Sequence, residues 1–145
     1  AAYDYQDNTF HSHPGYYIDY FEMRLAQLQV LHNLHYEIKK IRKMPKQALV
    51  IADYIMYMAD YVVEMNIPDQ QIEKLEEISE QMKQEELPKT REEFEGRALL
   101  YHILMDLEEF LVYKKRFVNG LDEKKLRIYW KQEMEQKDSA NELQK

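Results

Sequence analysis

Apolar side chains recur at steps of three and four from Tyr16 onward, the spacing of a helix with one face against a core. Phe21, Leu25 and Leu28 share a face with His32 and His35, while Leu31, Leu34, Ile38 and Ile41 form an adjoining stripe. A first helix is therefore predicted over about 16 to 43, packing on two neighbours. Lys39, Lys40, Arg42 and Lys43 suit its C-terminal end, where carbonyls are left unpaired. A second helix, over about 47 to 65, is apolar nearly all round: Ile51, Ile55, Met58, Val62 and Met65 recur along it with Tyr54 and Tyr61 beside them. It is predicted to be the most buried, with one polar stripe of Asp53, Tyr57, Asp60 and Glu64.

Asn66-Ile67-Pro68 stops that helix, and Asp69 is expected to cap a third over about 70 to 86, whose apolar side is Ile72, Leu75, Ile78 and Met82. Thr90-Arg91-Glu92-Glu93 fits a capping box, the Thr90 hydroxyl serving the Glu93 N–H and Glu93 reaching back. The fourth helix that follows buries a broad face of Leu100, Ile103, Leu104, Leu107, Phe110, Leu111 and Val118. Gly96 falls on that face, where a missing side chain permits close approach at a cost of about 1 kcal/mol relative to Ala. Gly120 ends the helix, and Asp122 starts a short fifth carrying Leu126, Trp130 and Met134.

Four main helices with short links predict an all-α fold, an antiparallel up-down-up-down four-helix bundle of two long and two shorter helices with a short C-terminal fifth. The long first and fourth helices should overhang at one pole, bringing Tyr16, Tyr17, Tyr20 and Phe21 beside Phe110, Tyr113 and Phe117. Residues 1–14 read as a linker from an upstream region, 15–137 as the helical domain and 138–145 as a disordered polar tail. The start at Ala1-Ala2-Tyr3, with no basic or apolar leader, reads as a cut inside a longer polypeptide.

Composition narrows the function more than the fold. The 145 residues contain 3 glycines and 4 prolines, too few turn-formers for most β architectures. The absence of cysteine excludes disulfides, thiolate zinc sites and cysteine nucleophiles. A net charge of −7 argues against nucleic acid as a partner. The charge is uneven: residues 69–95 hold ten acidic against four basic side chains, whereas residues 114–131 hold seven basic against two acidic. No stretch is apolar enough to span a bilayer, the longest run without Asp, Glu, Lys or Arg being Leu25 to Tyr36, interrupted by polar residues.

Catalytic motifs are missing. A dinuclear carboxylate bundle needs Glu-x-x-His pairs, and no acidic residue stands three before His11, His13, His32, His35 or His102. His32 and His35, with His102 from the fourth helix, are the residues a metal-binding bundle enzyme would use, but no carboxylate is locally paired with them, and hydrogen-bonded histidines explain them more simply. His102, Asp106, Glu109 and Tyr113 form a polar line that a solvated helix face also explains. With no phosphate loop, nucleophile elbow or zinc spacing, the sequence assigns no catalytic residue, metal or cofactor.

The 12 tyrosines are the unusual feature. Tyr36, Tyr54, Tyr57, Tyr61 and Tyr101, with His32, His35 and His102, are candidates for an apolar pocket with polar handles suited to a planar aromatic ligand. Ordinary core packing is the competing explanation.

The stretch Leu87-Pro88-Lys89-Thr90-Arg91-Glu92-Glu93-Phe94-Glu95-Gly96-Arg97-Ala98-Leu99-Leu100, continued by Ile103-Leu104-x-Asp106-Leu107-Glu108-x-Phe110-Leu111, resembles the C-terminal domain of the aromatic acid exporter family of bacterial membrane proteins. Tyr16-Tyr17 ahead of Arg24 and Gln27, and Glu64-x-Asn66, are similar to the same domain over residues 14–119. The resemblance implies transmembrane helices upstream in the same polypeptide, a place on the cytoplasmic face of the bacterial cell membrane, and a non-catalytic role in assembly, regulation or sensing an aromatic acid. A homo-oligomer is expected. So is a contact between an anionic membrane surface and Lys114, Lys115, Arg116, Lys124, Lys125 and Arg127, each basic residue there contributing about 1 kcal/mol. A free-standing helical interaction module is the other alternative.

Overall fold

The computed structural model describes residues 14–41, 43, 45–130 and 142–144. The predicted linker lies outside them except for Pro14 and so do Met134 and Lys131, while 142–144 of the predicted tail are helical or turn. The described chain is all-α, in the order α1 (Pro14–Lys39), α2 (Ala48–Ala59), α3 (Asp69–Lys83), α4 (Arg91–Asn119) and α5 (Glu123–Tyr129). Helix α4 packs against α1, α2 and α3, and α2 also packs against α3.

Along the α1–α4 seam the partners run in opposite order. The Tyr16 ring meets Phe117, the Gln27 amide meets the Phe110 carbonyl, and Glu37 meets His102. Its buried side on α1 is Tyr16, Met23, Gln27, Val30 and Leu34, a helical row of which the predicted stripes held only Leu34. The expected face of Phe21, Leu25 and Leu28 is instead exposed, Leu25 at 66%. The fourth helix, not the second, is the most buried, with eleven buried positions including Gly96. On α2 only Ile51, Tyr54 and Met58 are buried, and Met56 is 73% exposed.

Two apolar clusters result. The larger joins Val30, Leu34, Ile51, Tyr54, Leu75, Ile78 and the centre of α4. The smaller, of Tyr16, Met23, Phe117, Val118 and Trp130, closes the pole at which the long helices were expected to overhang. Burying a side chain of this size contributes about 1.5–3 kcal/mol, which accounts for the ordering of α5 through Trp130.

Helix ends follow local chemistry. The Thr90 hydroxyl accepts the Glu93 N–H at 3.1 Å as the capping box predicts, but the Glu93 carboxylate reaches the Lys89 N–H rather than that of Thr90. Asp122 caps α5 through the Lys125 N–H at 2.7 Å. Asp69 does not cap α3: Pro68 holds the N-cap position without a side-chain bond, and Asp69 pairs with Lys115. Helix α2 ends at Ala59, earlier than its apolar spacing suggests, in short turn bonds from Tyr61 to Met58 and from Val62 to Ala59. At Gly96 a Cβ would stand 3.2 Å from Pro45 Cγ, so the glycine admits the α1–α2 link against α4.

Candidate functional site

Helix α4 places chemistry at three levels. Near its N-terminus a cleft of about 430 Å³ opens between the end of α3 and the start of α4, within the size range of small-molecule sites. Met82, Leu87, Pro88, Phe94, Ala98 and Tyr101 give it an apolar and aromatic wall, to which Lys83, Glu85 and Arg97 add charge. Arg97 donates to the Glu86 carbonyl, which fixes its guanidinium at the cleft, and Lys83 pairs with Glu80 at 2.8 Å.

Midway along α4, His102 and Asp106 stand one turn apart and meet Glu37 from the last turns of α1. The His102 Nε2 approaches Glu37 Oε1, while Glu37 Oε2 and Asp106 Oδ2 are buried and accept no hydrogen bond from a described residue. Burial, and after it the facing Asp106 carboxyl, push the Glu37 carboxyl up to about 7, with His102 acting in the opposite sense. This is the arrangement the sequence reading missed. The signal was present: Glu37 continues the buried row after Leu34, and Asp106 sits between Ile103 and Phe110 on the apolar face of α4. Asp106 is thus not part of an exposed polar line with Glu109 and Tyr113, whose side chains bond each other at 3.0 Å.

At the C-terminal level the aromatic pole holds a connected polar network. Trp130 Nε1 donates to the Tyr16 hydroxyl at 3.1 Å, and that hydroxyl donates to Glu64 Oε1 at 2.7 Å. Burial raises the Tyr16 phenol well above its ordinary value. The Lys114 ammonium donates to the Val63 and Glu64 carbonyls at 2.7 and 2.6 Å, and the Gln27 amide donates to the Phe110 carbonyl at 2.8 Å.

The predicted site residues are dispersed by this geometry. Of the five tyrosines, Tyr101 alone borders the cleft. Tyr54 is buried with its hydroxyl on the Gln71 carbonyl, its own value raised by burial; Tyr57 packs at a tilt between Tyr54 and Tyr61. The space beside Tyr61 is about 10 Å³, too small for an aromatic ring. Tyr36 lies exposed on α1 with His32 and His35 around its ring, so His102 meets carboxylates rather than those histidines. Of the predicted membrane-facing cations, Arg116, Lys124 and Lys125 are exposed and Lys115 pairs with Asp69. Lys114 is the correction: it is 4% exposed because its position on α4 turns inward to the carbonyls beyond α2. The Arg127 side chain lies outside what is described.

Residues 1–115 match the family described as "Putative aromatic acid exporter C-terminal domain". The chain belongs to this family. As an exporter-family domain it is also similar to the uncharacterized protein YqjA of Bacillus subtilis (strain 168), 32% identical over 98 residues, a match covering 68% of this chain and 30% of that protein. No solved structure matches. Among the described residues of the exporter-family domain, no helix is long and apolar enough to cross a membrane. Five of the nine residues lining the cleft, Leu87, Pro88, Phe94, Arg97 and Ala98, come from the stretch that carried the resemblance.

Proposed function

We propose that the chain is a non-catalytic regulatory domain of an aromatic acid exporter-like membrane protein, an up-down-up-down four-helix bundle held on the cytoplasmic face by transmembrane helices of the same polypeptide. Its regulatory ligand is a small aromatic acid, bound in the α3–α4 cleft. Family membership together with the cleft carries this reading: one wall offers Phe94 and Tyr101 to a ring, and Arg97 offers a planar guanidinium to a carboxylate. The exposed row of Phe21, Leu25 and Leu28 supports self-association, and exposed Arg116, Lys124 and Lys125 support contact with an anionic membrane surface.

A thermal-shift screen tests the ligand. Benzoate and hydroxybenzoates are expected to raise the melting temperature, a ligand at one hundred times its Kd contributing about 2.7 kcal/mol. Benzamide, which lacks the charge, should not, and Arg97→Ala should remove the effect. No shift with any aromatic carboxylate, or a shift that survives Arg97→Ala, would overturn this assignment.

A further inference from the structure

Asp106 is 8% exposed, lies on the face of α4 that enters the core, and its Oδ2 has no hydrogen-bond donor among the described residues. Glu37 brings a second buried carboxylate oxygen, Oε2, in the same condition from α1. Carboxylates brought together out of water repel unless a positive charge or a proton lies between them. The imidazole of His102 meets Glu37 through Oε1, leaving the two buried oxygens unmatched. A fold that only needed to close α1 on α4 would place apolar side chains here, as it does at neighbouring Leu34, Ile103 and Phe110.

Ligand atoms from the three side chains all lie within 4.8 Å of one another. Around one ion held at ~2.0–2.2 Å, ligand atoms stand about 3 to 4 Å apart, so small side-chain rotations complete the set. The exposures are graded in the way such a site requires. The His102 side chain is 54% exposed and the Glu37 side chain 12%, so an ion has a path from solvent and coordination positions open to water on the imidazole side.

We propose that Glu37, His102 and Asp106 form a binding site for one divalent first-row transition-metal ion, joining α1 to α4. One imidazole with two carboxylates suits zinc, manganese or ferrous iron, whereas an oxygen-only set would suit calcium or magnesium. The site is separate from the aromatic acid cleft and does not depend on that reading. Since the ligands come from two helices, binding adds to the stability of the folded state.

Isothermal titration of the EDTA-stripped 145-residue chain with zinc and with manganese is the test, with helicity checked by circular dichroism. One equivalent of at least one ion is expected to bind and to raise the melting temperature. Asp106→Asn and Glu37→Gln should weaken binding by at least about tenfold, while His32→Ala/His35→Ala should leave it unchanged. His102→Gln, at a largely exposed position, gives the same loss in a variant that folds if either carboxylate change does not. Absence of binding by both ions, or binding that persists in the folded ligand variants, overturns the proposal: the carboxyl pair then shares a proton, or surface histidines hold the metal.

Discussion

The two ends of the α1–α4 seam bury polar groups under opposite rules. At the aromatic pole Trp130, Tyr16, Glu64 and Lys114 are joined by hydrogen bonds of 2.6 to 3.1 Å, and Gln27 donates to the Phe110 carbonyl at 2.8 Å. At the other end Glu37 and Asp106 each bury an oxygen that no described donor reaches. Matched burial fixes one arrangement of the chain, whereas unmatched burial gives up stability that apolar packing would have supplied. The first end therefore reads as structure, and the second as the part of the seam that folding alone does not explain.

The contrast can be broken most strongly at the matched end. Tyr16→Ala removes a ring packed on Tyr17, Tyr20 and Phe117 and the hydroxyl between Trp130 and Glu64. A loss of about 3–5 kcal/mol is expected in urea unfolding, and under 1 kcal/mol would mean that the pole is not a core. Lys114→Met keeps much of the volume but strips the donor from two part-buried carbonyls, for an expected cost of about 1–3 kcal/mol by the same measurement. An unchanged midpoint would show that water reaches those carbonyls.

The unmatched end should respond with the opposite sign. Folding lifts the Glu37 carboxyl from its ordinary 4.5 to about 7, so between those values the folded state holds the more protons. Stability from this group is complete below about pH 4.5 and is lost as pH rises through about 7. In metal-free protein, Asp106→Asn is expected to flatten this decline and to stabilise the chain at pH 8 by about 1–2 kcal/mol, read from urea melts at pH 5.5 and 8. A variant less stable than the parent at pH 8, with an unchanged slope, would show that the two carboxyls do not oppose each other.

Much of the fold was legible in the residues. Thr90, Gly120 and Asp122 mark helix ends by local chemistry that needs no tertiary context, and the apolar face of α4 is broad enough to orient itself. The early end of α2 was not legible, because Lys114 and Tyr16, far off in sequence, hold Val63 and Glu64 outside a helix. Nor was the orientation of α1, where Leu25 and Val30 have similar hydropathy but opposite exposure. The same ambiguity hid Glu37 and Asp106, each of which looks like an ordinary surface acid until its row is known to face inward. Tyrosine number was misleading: hydroxyls that find backbone carbonyls, as Tyr54 does with Gln71, leave no space to line.

The continuity of α4 also sets a constraint of phase. Arg97, Asp106 and Lys114 serve three different levels from a single uninterrupted helix, each successive residue turning the helix by about 100°. Removing one residue between Ala98 and Tyr101 would leave Arg97 on one side of the break and rotate the carboxyl site and aromatic pole together on the other. A change of length in the α4–α5 turn at Gly120 moves only α5 and the seat of Trp130, but inside α4 a change of one residue in length is a change of partner for everything beyond it.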